Sequence, residues 1–151
     1  MTQIHREIQN TEEEFDMPNG KAHVIAGTVC GAVVSLTVQN KLHENKEIDL
    51  GHLLLSSGAG AAVGRLPDIL EPATHPNHRA FFHSFAFGVT LGAGAINVWR
   101  TIEDKREERK AAGVQQVTLV EILLGLLLIA IIVFLLHLLM DGFTKKGLPI
   151  I

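Results

Sequence analysis

The feature that most constrains this chain is the run LVEILLGLLLIAIIVFLLHLLM at residues 119–140, in which Glu121 is the only formally charged side chain and His137 stands near the other end. A helix crossing the roughly 30 Å hydrocarbon core of a bilayer needs about 20 predominantly apolar residues, and this run supplies them. The surface helix of a soluble protein keeps a polar stripe toward water, whereas this segment is apolar all the way round. The rest of the composition agrees: 47% of the 151 residues are hydrophobic, too apolar for an ordinary soluble domain of this size.

Three further apolar segments precede it. Residues 81–99, FFHSFAFGVTLGAGAINVW, are long enough to span and end at Trp99 followed by Arg100, a pairing suited to the membrane interface. Residues 22–38 and 50–66 are richer in Gly, Ala and Ser and only weakly hydrophobic, as expected of inner helices in a small bundle. Gly27 with Gly31, Gly60 with Gly64, and Gly88 with Gly92 each place two glycines on one helical face. Such faces let helices approach closely where lipid removes most of the hydrophobic drive, and they also offer a route to homo-oligomers. Between the third and fourth segments, RTIEDKREERKAAGVQQ reads as a solvated helical extension or linker.

The expected fold is therefore all-α: a polytopic membrane helical bundle of about four transmembrane helices over residues 21–151. Residues 1–20 form a separate acidic extension carrying Glu12, Glu13, Glu14 and Asp16, of docking or disordered character and opposite in charge to a secretory signal. The net charge of -3 includes no basic field that would gather nucleic acid, so no nucleic-acid partner is expected; the expected partner is the lipid bilayer. Cys30 is the only cysteine and reads as a small packing residue.

If four helices alternate up and down, the loop after the second, both chain tails and the ends of the first and fourth helices share one membrane face. His23, Asp68, Glu71, His75, His78, His83, His137 and Asp141 all fall there, while the opposite face receives His43 and His52. Ionisable groups at the ends of membrane helices are functional candidates because unpaired burial is costly. His137 and Asp141, four apart, can present an imidazole and a carboxylate to one ion; the alternative is a boundary histidine with a solvated helix-end acid. Asp68 and Glu71 converge if their stretch makes a helical turn. A polar interfacial loop would explain its prolines, but three histidines with two carboxylates exceed what such a loop needs. His23 shares a face with Gly27 and Gly31, which aims it into the bundle as a ligand or as a buried, hydrogen-bonded histidine. Arg79 either anchors a phosphate or snorkels to the interface.

Mixed imidazole and carboxylate donors suit a divalent metal, zinc foremost, with manganese or iron as alternatives. The number of candidate ligands points to two or more ions, the arrangement that activates water and clamps a phosphoester. Asp68 or Glu71 could then be the general base.

The ordered elements His23 to Gly27, Pro67-Asp68-Ile69-Leu70-Glu71, His78-Arg79 to His83-Ser84, and His137 to Asp141 with Thr144 and Gly147 resemble the membrane-bound metal-dependent hydrolases of the YdjM type. The resemblance runs from about Ala22 to the C-terminus. It implies an inner (plasma) membrane protein related to the zinc-dependent phospholipase C and single-strand nuclease group, acting on a phosphoester or phospholipid. It also implies the metal ligands His23, Asp68, Glu71, His78, His83, His137 and Asp141, with Asp68, Glu71 and Arg79 as catalytic candidates. Two positions depart from the family pattern: Glu71 stands where aspartate is usual, and Phe82 where a threonine commonly precedes the histidine. The alternative from a different class is a non-catalytic membrane interaction protein with a structural metal site. A transporter ranks third, since no inverted repeat is visible.

Overall fold

The structure is a computed structural model that describes residues 20–42, 47–71, 81–82 and 84–143. Among these residues every regular element is helical: α1, Gly20–Leu42; α2, Leu50–Leu70; α3, Phe85–Ala111; and α4, Leu119–Gly142. Three helices contain an expected apolar segment whole, and α3 begins four residues into the third, 81–99. By length and composition alone, α1 and α4 are able to cross a membrane. The other two do not qualify by themselves, because α2 ends in Arg65-Leu66-Pro67-Asp68 and α3 runs on past Trp99 into a highly charged stretch.

The helix starts follow from capping groups. The Phe87 N–H donates to the Ser84 hydroxyl, so the third helix begins at Phe85 and not at the phenylalanines before it. Asp49 caps α2 by accepting from the His52 N–H. Thr118 and Glu121 form a reciprocal capping box that opens α4. At the far end of α3, Gly113 takes φ 69°, and the bonds Gly113 N–H to Lys110 C=O and Val114 N–H to Arg109 C=O close the helix in the glycine-dependent left-handed turn.

The glycine pairs Gly27/Gly31 and Gly60/Gly64 lie in one interface, where α1 and α2 meet backbone to backbone. A Cβ added at Gly31 would stand 2.5 Å from the Ser56 carbonyl oxygen, and one added at Gly64 would stand 2.5 Å from that of His23. Gly27 and Gly60 face each other's carbonyl groups more closely still. The third pair behaves differently: Gly88 meets only the end of the Leu138 side chain, and Gly92 meets nothing within 4 Å. Among the described residues α4 packs against all three other helices, and α3 packs chiefly on α4.

Beside a buried apolar core, the bundle exposes many large apolar side chains and buries several polar ones. Ile25, Val29, Val33, Leu54, Phe85, Val89, Leu123 and Leu127 are exposed, whereas His23, Ser35, Gln39, Ser56, Glu121, His137 and Asp141 are buried. Exposed apolar side chains in this number are in keeping with contact with a bilayer.

Of the two readings of the charged stretch, helical extension or linker, the structure shows the helical extension as far as Ala111, with one face buried and not solvated. α3 continues unbroken through it to Ala111, with Ile102 buried against Val38, Leu42 and Leu128 and with Arg109 5% exposed. Charge density along a helix hides a single inward face when the remaining faces carry most of the charges.

Candidate functional site

Four of the candidate residues come together at one end of the bundle. His23 projects from the first turn of α1, on the stripe His23, Gly27, Gly31 and Ser35 that α1 buries. Asp68 lies in the last turn of α2, and His137 and Asp141 lie one turn apart in α4. The close approach of α1 to α2 brings His23 and Asp68 to the same place, and α4 closes the third side.

The donor atoms converge closely. His23 Nε2 is 3.6 Å from Asp141 Oδ1, His137 Nε2 is 3.4 Å from Asp141 Oδ2, and His137 Nε2 is 3.5 Å from Asp68 Oδ1. The two imidazole rings stack with centroids 3.9 Å apart. His23, His137 and Asp141 are buried, whereas the Asp68 side chain is 45% exposed and forms the accessible edge. His137 Nδ1 stands 2.8 Å from the Gly64 carbonyl oxygen and, as its donor, directs Nε2 toward the carboxylates.

These separations exceed the 2.7–3.2 Å of a direct N–H···O hydrogen bond. They match the ligand-to-ligand edge of a tetrahedral ion, about 3.3–3.6 Å for bonds of roughly 2.0–2.2 Å. His23, Asp68 and His137 each offer one ligand atom within 4.8 Å of the others. His23, Asp68 and His137 thus fit one divalent ion with two nitrogen donors and one carboxylate donor, with His137 oriented by a backbone carbonyl as metal-binding histidines commonly are.

Glu71 has a different environment. Its Oε1 accepts the N–H groups of Phe81 at 2.7 Å and Phe82 at 3.0 Å, tying the start of the third segment to the end of α2. His75, His78, Arg79 and His83 lie outside the described residues, as do Thr144, Gly147, His43 and the acidic N-terminal extension. Phe81 and Phe82 join Phe87 and Phe134 in an edge-to-face aromatic cluster beside this end of the bundle.

The YdjM inner membrane protein family matches residues 17–151, nearly the whole chain. The chain belongs to that family. No curated protein and no solved structure matches it. As a YdjM-family member with two membrane-capable helices it is an integral protein of the inner membrane and in contact with the bilayer.

Sequence reasoning left this YdjM-family chain with no comparable cluster at the opposite end, and there the structure adds two. Arg109 Nε donates to Glu121 Oε1 at 2.9 Å with both side chains buried. The same guanidinium reaches the carbonyl oxygens of Leu42 at 2.8 Å, Gln115 at 3.1 Å and Val114 at 3.2 Å. One side chain thereby joins the end of α1, the turn after α3 and the start of α4. Beside it, Asp49 N–H donates to Gln39 Oε1 at 2.6 Å, Gln39 Nε2 donates to Ser35 Oγ at 3.1 Å, and Ser35 Oγ lies 3.0 Å from His52 Nδ1. The available signal for this second group was that Ser35 and Gln39 continue the buried stripe of α1 at four-residue spacing.

Proposed function

We propose that this protein is a metal-dependent hydrolase of the inner membrane, with His23, Asp68, His137 and Asp141 holding a divalent ion and a phosphoester or phospholipid as substrate. The reading rests on the convergence of two imidazoles and two carboxylates from three helices, at separations of 3.4–3.6 Å in an otherwise buried site. It takes the bundle to be four-span, with α2 and α3 held in the bilayer by their packing on the two strongly apolar helices. Zinc, manganese and iron all suit such a donor set. A bound ion supplies Lewis acidity toward a phosphoryl oxygen and acidifies water in its vicinity.

The residues of this chain divide the remaining work. Asp68, at the accessible edge, is placed to accept a proton from an attacking water or to complete the ligand set. Glu71 holds the Phe81–Phe82 backbone, and through it orders the chain leading to His83 and Ser84. Arg79, His78 and His83 complete the proposed site as phosphate anchor and further ligands, which leaves room for a second ion. Asp141 and His137 fix each other's position one helical turn apart.

Protein purified without chelator is expected to carry close to stoichiometric transition metal by elemental analysis. Asp141→Asn and His137→Ala should each lower its metal affinity by at least about 10-fold, the scale seen even for outer-shell changes at metal sites. A preparation free of metal that also fails to bind added zinc, manganese or iron would overturn the reading.

A second reading has its own support. His23, His137 and Asp141 are all 3% exposed or less, so a metal here could serve structure alone, in a non-catalytic membrane interaction protein. The two separate at Asp68. In a hydrolase, Asp68→Asn retains much of the metal yet loses metal-dependent turnover of phospholipid and nucleotide panels; in a structural site no turnover is found to lose.

A further inference from the structure

Near the membrane face opposite the His/Asp cluster, an apolar groove of about 430 Å³ runs between α1 and α3 with α4 as its floor. Val34 and Thr37 form one wall, Ala95 and Ile96 the other, and Ile132 the bottom, above the buried Val38 and Leu128. Its outer end is polar. There Lys41 Nζ binds Glu103 at 2.8 Å and stands 5.8 Å from the centre of the Trp99 ring. The Lys41 ammonium, with help from Trp99, holds the Glu103 carboxyl below its ordinary range, so Lys41 and Glu103 neutralise each other. Arg100 lines the same end, is exposed, and makes no ion pair among the described residues.

We propose that this groove holds an acyl chain of an anionic phospholipid whose phosphate is met by Arg100. The polarity gradient is that of an amphiphile: a dry aliphatic channel open to the bilayer and an uncompensated guanidinium at the interface, flanked by a tryptophan suited to the headgroup level. From Ala95 to Glu103 the wall on α3 is about 12 Å long at 1.5 Å per residue, enough for part of one chain and too short for a crossing helix of about 30 Å. Arg100 selects the headgroup and Ala95 leaves the width the chain needs. This site stands apart from the metal-binding residues, and it rests on the four-span reading of the bundle.

Trp99 is the only tryptophan in the protein, so its fluorescence reports this groove directly. The full chain, reconstituted in vesicles, is titrated with phosphatidylglycerol or phosphatidylcholine brominated on the acyl chains, each as a minor component in unlabelled phosphatidylcholine. At low mole fraction the anionic lipid should quench with an apparent affinity about fivefold higher, the scale of one Arg–anionic lipid contact. Arg100→Gln, an exposed change, should bring the two titrations together, and Ala95→Leu should reduce quenching by both. Equal titrations for the unaltered protein, or quenching indifferent to Ala95→Leu, would mean ordinary boundary lipid and overturn the proposal. Trp99 shielded from both lipids, with cross-linking between copies through a cysteine at position 96, would assign the groove to a second copy and overturn it equally. Full quenching by aqueous acrylamide with none by either lipid would instead remove the four-span reading on which it rests.

Discussion

Gly60→Ala is expected to cost about 3 kcal/mol or more in stability, while Gly58→Ala, two residues away in the same helix, should cost nothing or gain up to about 1 kcal/mol. The chemical change is identical, one methyl group, and the helix propensity of alanine favours both variants. The surroundings differ. At Gly58 an added Cβ meets nothing within 4 Å, whereas at Gly60 it would run into the Gly27 carbonyl of α1. Overpacking against a side chain can be relieved by a rotamer change; overpacking against backbone cannot, so the two helices must separate. Separation also carries His23 away from Asp68, and on the reading proposed above Gly60→Ala loses most of its metal. Thermal unfolding in detergent followed by circular dichroism, with metal content measured alongside, checks both effects. Equal melting of the two variants would show that α1 and α2 are not in backbone contact.

The second large effect is expected at the other end of the bundle. Removing one partner of a buried ion pair leaves the other charge uncompensated and typically costs about 3–5 kcal/mol, so Arg109→Ala and Glu121→Gln should each fall in that range. Arg109→Ala should be the worse of the two, because three backbone carbonyls also lose their donor. Replacing both residues together, as Arg109→Met with Glu121→Leu, should recover a large part of the loss, since an apolar pair of similar volume often substitutes for a buried salt bridge. Chemical denaturation of the unaltered protein, Arg109→Met, Glu121→Leu and the double variant in one detergent measures the coupling. Additive losses in the double variant would mean that Arg109 and Glu121 do not act as a pair.

These two regions also mark where the sequence was and was not legible. The apolar runs located the four helices, because length and hydropathy are local properties, but the third helix starts four residues later and runs twelve residues further than its apolar segment. The glycine spacing announced close packing but not which glycines pack: Gly88 and Gly92 have the same spacing as Gly60 and Gly64, yet their face is open. The gathering of His23, Asp68, His137 and Asp141 could be anticipated from up-and-down topology, since helix ends on one side of a bundle must meet. The Arg109–Glu121 pair could not. Arg109 is one base among many in a charged stretch, and only the turn at Gly113 reverses the chain so that it meets Glu121. Glu71 was equally opaque, because a carboxylate that receives two backbone N–H groups carries no sequence mark distinguishing it from a free one.

The position of α4 carries a consequence for biosynthesis. It leaves the ribosome after the other three described helices, and among the described residues it is the one on which they converge. The α1–α2 hairpin can close as soon as both helices have been made, through glycine contacts that involve no later part of the chain. α3, resting chiefly on α4, has no such early partner, and His23 and Asp68 wait without His137 and Asp141. On the four-span reading proposed above, a nascent chain halted before residue 119 would hold a closed α1–α2 hairpin, a third helix without its main packing partner, and only two of the four clustered polar side chains.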